Sequence, residues 1–197
     1  MVHSRRVGDE TLTFGVSGRL YKSNVLLYDH QSESLWSQLL ESSVAGRYAG
    51  TRLVAMPAVR TTWKSWQRRH PETLVLSTET GYRRDYATDP YAGYARAGGL
   101  WFPVGKVRGD LSPKARVLGI ASGDDAMAFP MDRLRGSAGR QLSIRIGSVD
   151  AVITVGPGGD VVAVSHDDGR PLPHVFSYWF AWQAFHPGTG VYRPGAQ

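Results

Sequence analysis

One unit, written twice, constrains this chain more than any other feature. Thr61 to Ser77 reads TTWKSWQRRHPETLVLS, and Ser177 to Arg193 reads SYWFAWQAFHPGTGVYR. Aligned, both follow Ser/Thr-x-Trp-x-x-Trp-x-x-x-His-Pro-x-Thr-x-Val. The two Trp and the His of each copy fall at i, i+3 and i+7, which is one face of a helix. Thr61 offers a hydroxyl to the free N–H groups of the first turn. Pro71 and Pro187 stop the helix, because the residue before a proline is pushed out of the α region. Thr73 to Ser77 (TLVLS) then reads as a strand. The expectation is a short capped helix feeding a strand, in two copies. In the first, Lys64, Arg68 and Arg69 point away from the Trp face, so the helix sits at the surface. The second, YWFAWQAF, is apolar nearly all round and belongs inside.

The rest of the chain reads mainly as strands. Thr11 to Val16 alternates, and Asn24 to Tyr28 is a short apolar run before a turn at Asp29 to Ser32. Ser34 to Leu40 fits either a helical face or a hairpin extension over Leu35 to Ser37. Arg52 to Met56 and Trp101 to Val104 read as short strands. Val117 to Ile120 and Ala126 to Phe129 form a hairpin across SGDD. Leu142 to Ile146, Ala151 to Val155 and Asp160 to Val164, separated by Gly-rich turns, form a three-stranded meander. The fold class is α+β, mainly antiparallel β, as two packed sheets or half-barrels with two short Trp-rich helices and an internal pseudo-repeat. The 197 residues make a single domain with two pseudo-repeat lobes, roughly 1–104 and 105–197, and the six Trp mostly fill their junction.

Several function classes are excluded or disfavoured. With no cysteine there is no disulfide, thiolate zinc site or Cys nucleophile. The net charge of +6 permits an anionic partner. The basic residues are scattered, however, with the densest groups at Arg5-Arg6, Arg68-Arg69-His70 and Arg83-Arg84, and no nucleic-acid module is legible. No nucleic-acid partner is expected. MVHSRRVGDETLTF has no apolar core of a signal peptide, and no apolar stretch approaches a membrane span. As written, the chain reads as cytoplasmic.

Several motifs, in order, resemble the bacterial and archaeal family called domain of unknown function 3179. They are LTFGVSGRLYKSNVLLYD (Leu12 to Asp29), ESLWSQ (Glu33 to Gln38), GRYAGTRL (Gly46 to Leu53), the Trp-Trp-His-Pro unit, VLSTETGYRRDY (Val75 to Tyr86), DPYAGY (Asp89 to Tyr94) and FPV (Phe102 to Val104). KARVLGI, AMAFP and WFAWQAFHPGTGVYR continue the series. The resemblance covers most of the chain and implies no activity, substrate or cofactor. Members of that family usually carry a Cys-Pro-Leu-Cys segment upstream of LTFGVSG, and many look exported or envelope-anchored. This chain begins just before LTFGVSG without that segment. An envelope or exported location is the expectation if its N-terminus is truncated.

Candidate chemistry is sparse. Asp29 and Glu33 flank a turn beside Trp36, and two carboxylates near an indole could divide acid and base roles, with one pKa raised by burial. Equally, they could be a turn Asp and an exposed Glu. The segment Gly81 to Gly99 holds the richest polar-aromatic cluster: Arg83, Arg84, Asp85, Tyr86, Asp89, Tyr91 and Tyr94. Arg pairs anions bidentately and Tyr offers a flat face with a polar tip, which suits a carbohydrate or a small acid. The same residues could instead pin the loop through internal Arg–Asp pairs. His70 and His186 could be ligands or bases, but a His in a last helical turn also meets free carbonyls, and the structural reading is preferred. His166 and His174 match no metal spacing. GPGG at Gly156 to Gly159 lacks a phosphate-loop context, Arg108-Gly109-Asp110 is only a tripeptide, and no GxSxG elbow occurs.

The function expected from these residues is a non-catalytic binding or scaffold domain. It would hold a small polar ligand or a protein partner through Trp36 and the Arg83 to Tyr94 cluster, without cofactor or metal. The alternative is a hydrolase-like enzyme using Asp29 and Glu33.

Overall fold

The computed structural model describes residues 1–195 and divides the chain into two compact units. The larger comprises Met1–Val59 together with the chain from Phe102 onward, and the smaller is Arg60–Trp101. The larger unit begins with β1 (Val2–His3), β2 (Arg6–Val7), β3 (Glu10–Thr11), β4 (Phe14–Tyr21), β5 (Asn24–Asp29), β6 (Leu35–Ser37), β7 (Ser42–Ala45) and β8 (Ala55–Met56). The smaller holds α1 (Trp63–Arg69) and α2 (Ala92–Arg96). The larger resumes with β9 (Arg116–Ser122), β10 (Asp125–Pro130), α3 (Met131–Arg135), β11 (Gln141–Ile146), β12 (Val149–Val155), β13 (Val161–His166), β14 (Val175–Tyr178), α4 (Trp179–Phe185) and β15 (Gly190–Val191).

The mainly antiparallel α+β class holds. One four-stranded sheet runs β4-β5-β6-β7 as an antiparallel meander. A second runs β14-β9-β10-β15, in which the last pair is parallel. The third is the expected meander β11-β12-β13. Two ribbons, β1-β8 and β2-β3, complete the set. The β9–β10 hairpin closes across Gly123 and Asp124, with Gly123 at φ 60°, a conformation that costs a residue without Cβ little. The ambiguity over Ser34 to Leu40 resolves to a strand at Leu35–Ser37.

Burial explains the packing. Leu118, Ile120 and Phe129 of the β9–β10 hairpin meet Ile146, Ile153, Val155 and Val164 of the meander and Leu134 of α3 in one cluster. A second cluster joins Val7, Leu12, Trp36 and Leu53, with Phe14, Leu27 and Tyr48 against it. Alternation along β12, where Ala151, Ile153 and Val155 are buried, is the period-2 signature of a strand with one covered face. Helix α4 buries Trp179 through Gln183, as its apolar sequence required. Its far end is tied to the β4–β5 turn, where Lys22 Nζ donates to the Ala184 carbonyl at 2.6 Å and the Tyr21 and Phe185 rings meet edge to face.

Four expectations are corrected. Thr73 to Ser77 forms no strand; no second strand lies beside it in the smaller unit to take up its ladder hydrogen bonds, and Leu74 and Leu76 are 94% and 96% exposed. Trp101 to Val104 is likewise irregular. The strand placed at Thr11 to Val16 is split, with Glu10–Thr11 in a ribbon and the long strand starting at Phe14. The six Trp do not fill one junction, because Trp36, Trp179 and Trp182 are buried whereas Trp63 and Trp101 are exposed. Among the described side chains of the smaller unit none is buried.

Candidate functional site

The turn after β5 is built on one carboxylate. Asp29 ends the strand with no exposed surface. Its Oδ1 accepts from the Ser32 backbone N–H at 2.6 Å and from the Ser32 hydroxyl at 2.8 Å, and its Oδ2 accepts from Trp36 Nε1 at 2.8 Å. Burial pushes the Asp29 carboxyl up, but the hydrogen bonds from Trp36, Ser32 and the Ser34 backbone outweigh it and hold the group below the usual carboxylate range. Trp36 is itself fully buried, with the Phe14 and Tyr48 rings each 5.8 Å away. Glu33 is exposed and sits at φ 57°, and its backbone N–H donates to the Asp29 carbonyl. The structure therefore brings Asp29 and Trp36 into one buried network and leaves the Glu33 side chain outside it.

The second expected cluster lies in the smaller unit. Asp85 accepts from the Thr88 hydroxyl and the Ala87 N–H, and Asp89 accepts from the Tyr91 N–H at 2.8 Å, so both carboxylates shape their own turns. The Thr88 bond, first, and the Ala87 bond hold the Asp85 carboxyl below its ordinary range. Tyr86 shares a 2.6 Å hydrogen bond with Thr80, and Tyr94 packs on Trp101 at 4.6 Å. Arg83, Arg84, Tyr86 and Tyr91 are exposed.

A cleft that no sequence motif announced opens in the larger unit. Its volume is about 530 Å³. The β1–β8 ribbon contributes His3 and Met56, and the chain around β7 contributes Glu41 and Arg52. Gly119, Ala121 and Asp124 of the β9–β10 hairpin also line it. Leu172 to Val175 and the end of α4 with the His186–Thr189 turn complete the walls. Three imidazoles from three separate segments thus share one cleft. His174 Nδ1 donates to the Leu172 carbonyl at 2.9 Å, because a carbonyl only accepts. His3 Nε2 is buried without a hydrogen-bond partner. Burial lowers all three: His186 to about 4, His3, and His174 against a partial rise from the Leu172 bond. Burial also raises Glu41, opposed by Arg52 at 3.7 Å. Among the described residues no three His, Cys, Asp or Glu converge as a metal site.

The His186 wall belongs to the second Trp-His-Pro copy. Trp182 Nε1 donates to Thr189 Oγ1 at 2.9 Å, and the His186 ring stacks on Trp182 at 3.9 Å. In the smaller unit Trp66 Nε1 donates to Thr73 Oγ1 at 3.0 Å, and His70 lies 4.1 Å from Trp66. The same residues at the same spacing make the same bonds, and the α4 copy lines the cleft and continues into a strand. Sequence reading missed His3 and Glu41 altogether. They reach the cleft through β1–β8 pairing and a loop bridge of Ser42 to Arg52, which leave no local signal.

The described residues define a β-rich α+β domain with an open cleft among short strands. The chain belongs to the family described as Protein of unknown function (DUF3179), whose pattern matches residues 1–168. The matched span includes the β4–β7 sheet, the β9–β10 hairpin and the meander, and stops short of α4. No curated protein and no solved structure matches the chain. Among the described residues no helix is long and apolar enough to cross a membrane.

Proposed function

We propose that the chain is a non-catalytic binding domain that holds a small organic ligand in the cleft of its larger unit. The observation that carries this reading is the cleft itself. Its volume of about 530 Å³ falls in the usual range of ligand sites, and its walls mix apolar side chains with a few polar groups that have bonding capacity to spare. His3 Nε2 is the clearest of these, since a buried polar atom without a partner is rare in a folded chain. The hydrolase alternative draws less support. Asp29 is anionic, sealed from solvent and committed to the donors that shape its turn, which suits a structural carboxylate better than an acid or base. The Arg83 to Tyr94 cluster remains a surface for a polar partner under this reading, with Asp85 and Asp89 occupied in turns.

The test is a fragment screen by protein-observed NMR on the whole chain, repeated on Ala121→Trp. Ala121 is an exposed cleft residue, so an indole there fills the space without disturbing a core. Hits that shift the His174 and His186 ring signals and vanish in the variant support the reading. A screen that gives no such hit overturns it.

A further inference from the structure

Resting on that reading, we infer that the cleft is built for an uncharged, hydroxyl-bearing small molecule of the polyol or sugar type, held by hydrogen bonds to the imidazoles of His3, His174 and His186. The three rings come from β1, from the segment before β14 and from the turn after α4, and all three line this cleft. A neutral imidazole carries one donor and one acceptor. In His174 the Nδ1–H is spent on the Leu172 carbonyl, which leaves Nε2 as an acceptor. His3 Nε2 has no partner within the protein. A hydroxyl both donates and accepts, so it can satisfy either nitrogen, whereas a carboxylate can only accept and a metal ion only takes lone pairs.

The charged groups on the walls argue the same way. Glu41 of the chain before β7 pairs with Arg52, and Asp124 sits in the exposed β9–β10 turn. Among the described lining residues Arg52 is the only arginine or lysine, and it already faces a carboxylate. An anion would therefore enter a half-buried site with little to neutralise it, and desolvation would oppose its charge. A metal ion lacks the three converging ligands it needs. The remaining accessible apolar surface, Leu40, Met56 and the half-buried Phe185, offers faces to the C–H side of a polyol ring.

Titration calorimetry on the whole chain tests this with two matched series: uncharged methyl glycosides, and the corresponding uronates that replace one CH₂OH by a carboxylate. The expected result is binding of at least one uncharged sugar, with a heat that does not change with the ionisation enthalpy of the buffer. Affinity stays level from pH 8 to pH 6.5 and falls only at lower pH, once the rings, whose values burial lowers, take up protons and lose their acceptors. His174→Ala weakens that binding about fivefold or more. Preference for the uronates, or proton uptake on binding, overturns the inference and leaves the binding domain standing. So does the absence of any sugar binding when other fragments occupy the cleft. If nothing occupies the cleft, both readings fail together.

Discussion

Trp36 Nε1 lies 2.8 Å from Asp29 Oδ2, and neither residue has exposed surface. An indole N–H and a carboxylate are both costly to bury alone, so each removes the penalty of the other. Asp29→Asn keeps an acceptor for Trp36 but turns an NH₂ toward the Ser32 backbone N–H, itself a donor, although the Ser32 hydroxyl can rotate to accept. A loss of about 1–3 kcal/mol is expected from the unsatisfied donors. Chemical denaturation of the variant reads it directly, and an unchanged midpoint would remove the structural role assigned to this carboxylate.

The two Trp–Thr pairs make the same bond in different surroundings, and substitution should separate bond from burial. Thr189→Val strands the N–H of Trp182, which is buried, so the cost is about 1–3 kcal/mol. Thr73→Val frees the N–H of Trp66, whose partner threonine is exposed and replaceable by water, so the change stays within about 0.5 kcal/mol. Thermal melts of the two variants side by side check the contrast. Equal losses would mean that the Trp66 N–H is closed to water in the folded chain.

These pairs also show where sequence reading succeeds and where it stops. Helices α1 and α4 were legible because a Trp-x-x-Trp-x-x-x-His-Pro pattern fixes both a period and an end, whereas α2, inside a segment read as a loop, and α3 were not expected. The burial of α1 and α4 was legible because YWFAWQAF has no polar face and WKSWQRRH has one. The hairpin and the meander were legible because Gly123 and Gly147 punctuate alternating runs. TLVLS misled because strand propensity is local, whereas a strand needs a neighbour that no local pattern supplies. Trp101 to Val104 misled for the same reason. The cleft was invisible because its imidazoles sit at positions 3, 174 and 186, joined only by pairing of β1 with β8 and by the docking of α4. The attention drawn to Asp29 and Trp36 fell on residues that do touch, and the bond between them is one that a carboxylate and an indole on neighbouring strands cannot announce.

Gly119 lets α4 dock. A Cβ built on it would lie 2.4 Å from the Trp182 ring, well inside van der Waals contact, and Trp182 is buried and cannot swing away. Gly119→Ala should therefore cost about 1–3 kcal/mol by overpacking. It should also displace the His186 wall of the cleft, because His186 stacks on the same indole. The variant's near-UV circular dichroism should change along with its melting temperature. A variant as stable as the parent would show that α4 does not pack against β9 as closely as described.

His186 makes stability depend on pH in a defined direction. Burial lowers its pKa to about 4, against about 6.5 in an unfolded chain. Between those values the unfolded chain holds the extra proton, so stability rises with pH across the window. The contribution is complete above about pH 6.5, declines as the pH falls, and is gone below the folded value. His174 and His3 are lowered too and add slope of the same sign. The full shift would correspond to about 3 kcal/mol, and because the ring is partly open to solvent, screening reduces this to about 1–2 kcal/mol. Denaturation midpoints from pH 7 to pH 4 should fall more steeply for the parent than for His186→Gln, which cannot take up a proton. Parallel curves for the two would show that the ring is solvated in the folded state and that the cleft is open to water at that wall.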